Sequence, residues 1–333
     1  MAGVLGPDGG PEPGIERLPP RLVEAYLRRL GLGLAAVATR PRDVALLADL
    51  HRAHVEQVSY DNLDIYRGSP RRIDPVGAAR HVAGGGGGYC FHQNGALSSL
   101  LHTLGFRVRR HVGGVRVRPD SDLRWARTNH LVVTVELDGR RWLVDCGLGD
   151  LLHEPVLLQP GAFRQAGFGY RLERLVGAAA AEWRDDGRDG EAPDDEAPEV
   201  GEQQQVWRLH HDPAQKSFHD MTFDLVPVPM AVFEQRHEWL SRDPGSGFVT
   251  VCAVERRTAD GVEALRGLVR HRLTADARSE VEITDAARYF AVLEQDFGLG
   301  AVRRLTAGER EVLWRRLVQD HAVWVAERDT RQP

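Results

Sequence analysis

Cys90 is the residue whose type and position most clearly point to chemistry. It follows Tyr89 and five consecutive glycines at 84–88, and leucines three and four residues apart after it predict a helix that Gly105 ends. A thiol in the first turn of a helix lies beside unpaired N–H groups and the positive end of the helix dipole, which favour thiolate. The same N–H groups can stabilise an oxyanion. The stretch predicts a nucleophilic thiol, and a buried structural cysteine after a loop is the alternative.

A thiolate nucleophile needs a histidine to activate it and an acceptor to orient that histidine. Among 14 histidines, His130 lies at the start of the β-rich segment 131–137, and Asp145 ends the next predicted strand, across the Asp138-Gly139 turn. In antiparallel neighbours the start of one strand lies beside the end of the other. We therefore expect a hydrogen bond between the two side chains. A histidine at a sheet edge and an aspartate in a turn are the alternatives.

The apolar period along the chain indicates which elements position these residues. It predicts helices over 20–83 with a turn at 59–70, strands over 106–210, hairpin strands over 248–274, and helices over 284–299 and 306–327. The expected order is a helical region, then a β-rich region, then a mixed region.

Two polar stretches interrupt this order. Residues 1–19 are rich in glycine and proline, and we expect them to be poorly ordered. Residues 182–202 contain ten acidic residues and two arginines, and predict a solvated loop. Since the net charge of the whole chain is −5, the rest of the protein has a small positive net charge. That surface can hold a basic entrance for an anionic ligand, whereas a general nucleic-acid binder would be basic overall.

Composition narrows the class of protein further. Apolar residues make up 42% of the 333 residues and charged residues 27%, as in an ordinary soluble protein. No apolar run approaches the roughly 20 residues of a membrane span, and the N-terminus shows no secretory signal. Three cysteines cannot all pair with one another. We expect a cytoplasmic enzyme or binding protein without a membrane or nucleic-acid partner.

Three motifs resemble those of the arylamine N-acetyltransferases. GGYCFHQNGAL (87–97) is similar to the Gly-Gly-Tyr-Cys-Phe-Glu-x-Asn-Gly stretch of that family. RTNHLVV (127–133) and VDCGLGD (144–150) resemble its Thr-His-Asn-His and Asp-x-Gly-Phe-Gly segments. Further similar stretches follow in the family's order over nearly the whole chain, except for the N-terminal tail and the acidic insert.

The resemblance implies an α+β, papain-like cysteine-triad fold. Its parts would be an N-terminal helical bundle carrying the nucleophile at 20–105, a central β-barrel at 106–222 with an acidic loop insert at 178–204, and a C-terminal α/β lid at 223–333. Residues 1–19 would be a disordered tail.

The resemblance also implies a reaction. Cys90 would accept an acetyl group from acetyl-CoA, His130 would activate the thiol, and Asp145 would hold the tautomer of His130. After CoA leaves, an arylamine or hydrazine would attack the thioester, so that the reaction is ping-pong. Acetyl-CoA would be a substrate, and we expect no permanently bound cofactor and no metal.

Further roles follow from the same resemblance. Backbone N–H groups at Gly147, Leu148 and Gly149 would receive the phosphates of CoA. Tyr60 and Phe248 would correspond to the aromatic residues of the substrate pocket.

The chain departs from the family pattern at four positions. Gly86 stands where arginine is usual, His92 where glutamate is usual, Leu148 where phenylalanine is usual, and Cys146 where valine is common. If the family's arginine and glutamate form an ion pair, both partners are absent here, which is gentler than removing one. These changes leave the triad intact but alter the pocket wall, so that the acceptor amine and the acyl donor stay open.

Other interpretations of the same residues are weaker. A phosphate-binding loop would need Gly-Lys-Ser/Thr after the glycines, and a metal site of Cys90, His92 and Cys146 would need a fourth ligand. A thiol protease or glutaminase would share the triad. Within the family fold, an amide synthase that moves a larger acyl chain to an aromatic amine is the main alternative, followed by a non-enzymatic binding protein.

Overall fold

The computed structural model describes residues 14–184, 205–213 and 217–331. Its elements follow the expected order of a helical region, a β-rich region and a mixed region.

The N-terminal region is a bundle of helices around one apolar core. The helices and the short strand between them are α1 Pro20–Arg29, α2 Leu34–Ala38, α3 Val44–Gln57, β1 Tyr60–Asp61, α4 Leu63–Tyr66, α5 Pro75–Ala83 and α6 Cys90–Thr103. Local start signals are visible in the sequence: α1 and α5 begin with proline, and Asp43 caps α3 by accepting the N–H of Leu46. Every residue from 90 to 101 in α6 is buried, so this helix lies at the centre of the protein.

The β-rich region is an eight-stranded antiparallel sheet with the strand order β5-β4-β3-β2-β9-β8-β7-β6. Its strands and helices are β2 Arg107–Arg116, α7 Leu123–Ala126, β3 Arg127–Leu137, β4 Arg140–Leu143, β5 Val156–Leu157, β6 Gly161–Gln165, β7 Phe168–Leu175, α8 Gly177–Arg184, β8 Val206–His210 and β9 Asp220–Asp224. The central strands β2 and β3 pack against α6, because Val133 and Val135 belong to the same core as the leucines of that helix.

The C-terminal region combines a second sheet with two helices at its end. Its elements are α9 Glu234–Arg242, α10 Gly247–Thr250, β10 Ala253–Arg257, β11 Gly261–Arg266, β12 Val269–Thr274, β13 Arg278–Glu282, α11 Ala286–Ala291 and α12 Ala307–Arg331. The sheet has the order β1-β10-β11-β12-β13, so β1 of the helical region is its edge strand. This pairing places Tyr60 directly opposite Glu255.

The predictions of a disordered tail over 1–19 and of an acidic loop over 178–204 are each wrong in part. Residues 14–19 are held against the bundle, because Leu18 is buried and donates its N–H to Thr103 Oγ1 at 2.9 Å, and Glu16 pairs with Arg110 at 2.7 Å. Residues 178–184 are helical, because the apolar side of α8 buries Trp183. The rest of the tail (1–13) and of the insert (185–204) lies outside the described residues.

Two smaller expectations also differ from the structure. The predicted turn at 59–70 contains β1 and α4, and Leu63, Ile65 and Tyr66 of α4 are buried. The sequence pattern did not predict β13, whose five residues are all exposed and lack an apolar face. No helix of the described residues has the length and apolar character that a membrane crossing requires.

Candidate active site

Cys90 is the first residue of α6, and the residue before it, Tyr89, has an extended backbone. The thiol is 3% exposed and its Sγ lies 3.7 Å from the backbone oxygen of Asn129. The glycines around it are required by space. A Cβ at Gly147 would lie 2.9 Å from Cys90 Cα, and one at Gly87 would lie 2.2 Å from the backbone oxygen of Ser59. The thiol therefore sits where the N-terminus of α6, the end of the glycine run and the turn after β4 meet.

The structure joins His130 and Asp145 as expected. His130 Nε2 lies 2.7 Å from Asp145 Oδ2, and both side chains are buried. Asp145 does not end a strand, because β4 stops at Leu143 and only one further ladder bond, from the Val144 N–H to the Val133 oxygen, follows. The aspartate belongs to the turn that follows.

A bulge in the sheet lies beside His130. The register between β2 and β3 shifts at Gly113 and Gly114, so that Gly113 faces His130 and Gly114 faces Arg127. Thr128, inside the bulge, has a φ of 72°, which is costly for a β-branched residue. Bulges re-aim side chains next to active sites. This bulge places Asn129 and His130 at the N-terminal end of α6, next to Cys90.

The protonation of His130 is governed by its two partners. Burial disfavours the charged ring, but the charge and hydrogen bond of Asp145, together with Cys90, outweigh burial and raise the pKa of His130 to about 10. Burial likewise acts against ionised Asp145, but His130, Asn94 and the Gly147 N–H hold its pKa below the ordinary value. The other ring nitrogen, Nδ1, is buried and has no hydrogen-bond partner at ordinary distance among the described residues. An imidazolium beside a thiol stabilises the thiolate.

Asn94 holds this arrangement in place, although no role was predicted for it from the sequence. Its Nδ2 donates to Asp145 Oδ1 at 2.8 Å and to the Leu131 oxygen at 2.6 Å, and its Oδ1 accepts the Cys146 N–H at 3.0 Å. Asn94 lies one helical turn after Cys90 in α6. It therefore fixes the aspartate relative to the helix of the nucleophile. The spacing in GGYCFHQNGAL was its only sequence signal.

Cys90 and His130 open into a cavity of about 340 Å³. Its wall comes from all three regions of the chain, including Tyr60, Phe248 and Leu148. A second cavity, of about 190 Å³, shares several of the same wall residues. A cysteine, a hydrogen-bonded histidine and aspartate, and an adjoining cavity can together form a covalent acyl intermediate.

Comparison with known proteins decides the family. A model of N-acetyltransferases matches residues 43–306. This chain belongs to the arylamine N-acetyltransferase family. The arylamine N-acetyltransferase of Mycolicibacterium smegmatis is 30% identical over 283 residues, which are 82% of this chain and 90% of that protein. The chain is accordingly an acyltransferase with the α+β fold of this family.

Solved structures agree on the fold. The arylamine N-acetyltransferase of Mycobacterium abscessus has a TM-score of 0.70 at 21% identity, covering 89% of this chain and 94% of that one. The Mycobacterium marinum enzyme in complex with CoA has a TM-score of 0.67 at 23% identity, covering 89% and 98%. The relatives and solved structures described above are named arylamine N-acetyltransferases, and this similarity does not favour the amide synthase alternative.

Of the five residues predicted to contact CoA or the acceptor, four line the cavity of Cys90 and one does not. Tyr60, Phe248, Leu148 and Gly149 line the cavity of Cys90. Gly147 does not line it, and its N–H donates to Asp145 Oδ1 at 2.9 Å. The predicted contacts with CoA and the acceptor stay predictions.

Two departures from the family pattern lie in the scaffold, because neither residue lines the cavity of Cys90. At Gly86 the ring of His81 fills the space of a side chain, since a Cβ there would lie 1.9 Å from His81 Nε2. His92 is buried; its Nε2 lies 3.2 Å from the Arg72 oxygen, and its ring packs edge-on against Tyr89. Leu148, by contrast, is part of the cavity wall, where it leaves more room than the phenylalanine usual in this family.

Several cavity residues were not found by sequence reasoning, among them Asp150, Trp239, Glu255 and Arg266. Asp150 ends the VDCGLGD segment but was given no role, and Trp239, Glu255 and Arg266 belong to none of the three motifs. The four residues come from segments far apart in the chain. Only the alignment of β1 with β10 brings Glu255 beside Tyr60. Within the part of the chain that the structure describes, no group of three or more His, Cys, Asp or Glu side chains could hold a metal ion.

Proposed function

We propose that this protein transfers an acetyl group from acetyl-CoA to an arylamine or hydrazine through a thioester on Cys90. The observation that carries the proposal is the 2.7 Å contact between His130 and Asp145 next to a cysteine that faces the same cavity. Membership of the arylamine N-acetyltransferase family supports it further.

In the first half of the reaction, the Cys90 thiolate attacks the carbonyl carbon of acetyl-CoA. The oxyanion that forms is stabilised by the N–H groups of Cys90 and Phe91 at the start of α6, because those of His92 and Gln93 already donate to the Tyr89 oxygen. When the carbon–sulfur bond to CoA breaks, the leaving thiolate takes a proton from the His130 imidazolium. The products are CoA, acetyl-Cys90 and a neutral His130.

In the second half, the acceptor nitrogen attacks the thioester carbon of acetyl-Cys90. His130, now neutral, takes the proton that the nitrogen loses, and Cys90 leaves as a thiolate. The imidazolium and thiolate are thereby restored. Asp145 supports both halves, because its Oδ2 orients the ring of His130 and stabilises the positive charge that appears on it.

The donor would enter from the second cavity. Arg266, His271 and Arg278 line this cavity of about 190 Å³, and Arg266 also lines the cavity of Cys90. Basic side chains attract the phosphates of CoA, in agreement with a positive surface outside the acidic insert. We place the pantetheine arm along Leu148 and Gly149, and the acceptor ring against Tyr60 and Phe248.

We further propose that the protein works in the cytoplasm, as an enzyme of xenobiotic metabolism. Cys90, Cys146 and Cys252 are all free and buried. Free thiols are typical of a reducing compartment.

A screen of acceptors and donors tests the function. Acetyl-, propionyl- and malonyl-CoA are combined with a set of arylamines and hydrazines, and the release of CoA is recorded. We expect turnover with acetyl-CoA and at least one class of acceptor, complete loss in Cys90→Ala, and no loss in Cys252→Ala. CoA release that continues in Cys90→Ala, or no release with any pair, contradicts the proposal.

A further inference from the structure

Glu255 places a carboxylate in the cavity of the nucleophile. It lies on β10 opposite Tyr60, and its side chain extends across Gly149. A Cβ built at Gly149 would lie 2.4 Å from Glu255 Cβ, 2.8 Å from Glu255 Oε2 and 3.0 Å from Tyr60 Cβ. Both the glutamate and the tyrosine line the same cavity as Cys90. The carboxylate therefore lies beside Tyr60, against which we place the acceptor, at the border with the second cavity, which it also lines.

The carboxylate of Glu255 is not used by the protein itself. It is half-buried, yet no hydrogen bond or ion pair within 4.0 Å joins it to another side chain among the described residues. Another acidic residue of the same sheet, Glu263 on β11, differs because it pairs with Arg270 and Arg272. A half-buried carboxylate costs free energy unless a partner compensates it. A ligand in the cavity can be that partner.

The charges around Glu255 agree with this view. Burial and the carboxylate of Asp150 raise the pKa of Glu255 to about 7, and the charge of Arg266 opposes this rise. A cation placed against Glu255 would hold it ionised. Arg266 does not fill this role, because it is exposed and lies beyond ion-pair distance of Glu255.

We propose that Glu255 selects acceptors whose aromatic ring carries a cationic group in addition to the reacting amine. The inference rests on the proposed function and deepens it, because it names the class of acceptor. The cationic substituent would donate hydrogen bonds to Glu255, while the reacting nitrogen points toward acetyl-Cys90. An amidinium is the best probe of this class, because it presents two N–H donors to a carboxylate and does not itself accept an acyl group.

The test compares 4-aminobenzamidine with 4-aminobenzamide, two acceptors of nearly the same shape that differ in charge. Initial rates of CoA release give kcat/KM for each. We expect the wild-type protein to prefer the amidine by about tenfold or more, since hydrogen bonds to charged groups are worth more than neutral ones. Glu255→Gln should bring the ratio to about one and Glu255→Asp should retain part of it, whereas Glu136→Gln, outside the cavity, should leave it unchanged.

A binding measurement complements the kinetics and does not depend on turnover. Benzamidine and benzamide are titrated calorimetrically into Cys90→Ser and into Cys90→Ser with Glu255→Gln. We expect benzamidine to bind more tightly than benzamide to the first protein only.

The outcomes separate the inference from the function on which it rests. If acetyl-CoA leaves no acetyl group on Cys90, the proposed function fails. If acetyl-Cys90 forms and anilines are acetylated, but amidine and amide react equally in the wild type, the inference alone is overturned. It is also overturned if Glu255→Gln changes only the KM for acetyl-CoA, because the carboxylate would then face the donor.

Discussion

Replacement of Asp145 by asparagine is the most informative perturbation of the triad. Asp145 Oδ1 accepts hydrogen bonds from Asn94 Nδ2 and the Gly147 N–H, while Oδ2 faces His130. In Asp145→Asn those two donors keep the side-chain oxygen in the place of Oδ1, so the amide nitrogen faces His130. His130 Nε2 must then act as an acceptor, and its proton moves to Nδ1. The ring would carry its proton on the side of Cys90, where a base is needed.

The size of the effect follows from the pKa of His130. Asp145 and Cys90 raise this pKa from 6.5 to about 10 against the effect of burial. Since each pKa unit corresponds to about 1.4 kcal/mol, the surroundings stabilise the imidazolium by roughly 5 kcal/mol. Without the aspartate, burial prevails and the ring is neutral at neutral pH. Together with the wrong tautomer, we expect acylation of Cys90 to slow by about three to four orders of magnitude.

The assay is the pre-steady-state release of CoA as a function of pH. His130 in the wild type keeps its charge at pH values below its pKa of about 10 and loses it above, so the rate should be level between neutral pH and about 9. In Asp145→Asn the slow rate should no longer be level over this range, because His130 has lost the carboxylate that keeps its ring charged. Asp224→Asn is the control. Asp224 is also buried and accepts a hydrogen bond of 2.9 Å from Trp183 Nε1, but it does not line the cavity of Cys90. A variant within about tenfold of the wild-type rate, with the same pH profile, would refute the reasoning.

Three further predictions concern reactivity and stability. Iodoacetamide should modify Cys90 at least about 100-fold faster than Cys252, whose pKa burial raises to about 12, and peptide mapping would show equal rates if Cys90 is not activated. Asn94→Ala should lower the free energy of unfolding by about 3 kcal/mol, because three buried hydrogen bonds between nitrogen and oxygen and a weaker one from the Cys146 thiol are lost; a urea titration that gives less than about 1 kcal/mol would contradict this. Gly86→Arg should destabilise by about 2 kcal/mol through its clash with the His81 ring, and less when combined with His81→Ala, while the kcat/KM of both variants stays at the wild-type value. Additive losses in the double variant would show that the two sites do not touch.

The triad could be predicted from the sequence because its signals are local. Cys90 begins a helix after glycines, and His130 and Asp145 flank one hairpin, so short-range patterns alone bring them close. The details that failed were element bounds. β4 ends at Leu143, before Asp145. In the turn that follows, the N–H of Cys146 donates to the side-chain oxygen of Asn94 instead of to a neighbouring strand.

The cavity wall could not be predicted in the same way. Tyr60, Glu255 and Phe248 meet only because β1 leaves the helical region and pairs with the C-terminal sheet. Nothing in a single sequence specifies that long-range pairing. The helix at 178–184 was missed for a related reason. The acidic residues that follow it in the sequence favour a solvated loop, and only the fold shows that Trp183 is buried.

Mass spectrometry of the intact protein after exposure to acetyl-CoA alone tests the central claim most directly. If Cys90 is the acyl-accepting nucleophile of a ping-pong reaction, the wild-type protein gains the mass of one acetyl group without any acceptor, and addition of an acceptor amine removes it. Cys90→Ala should gain nothing. The absence of an adduct on the wild type, or an adduct that persists in Cys90→Ala, would contradict the account.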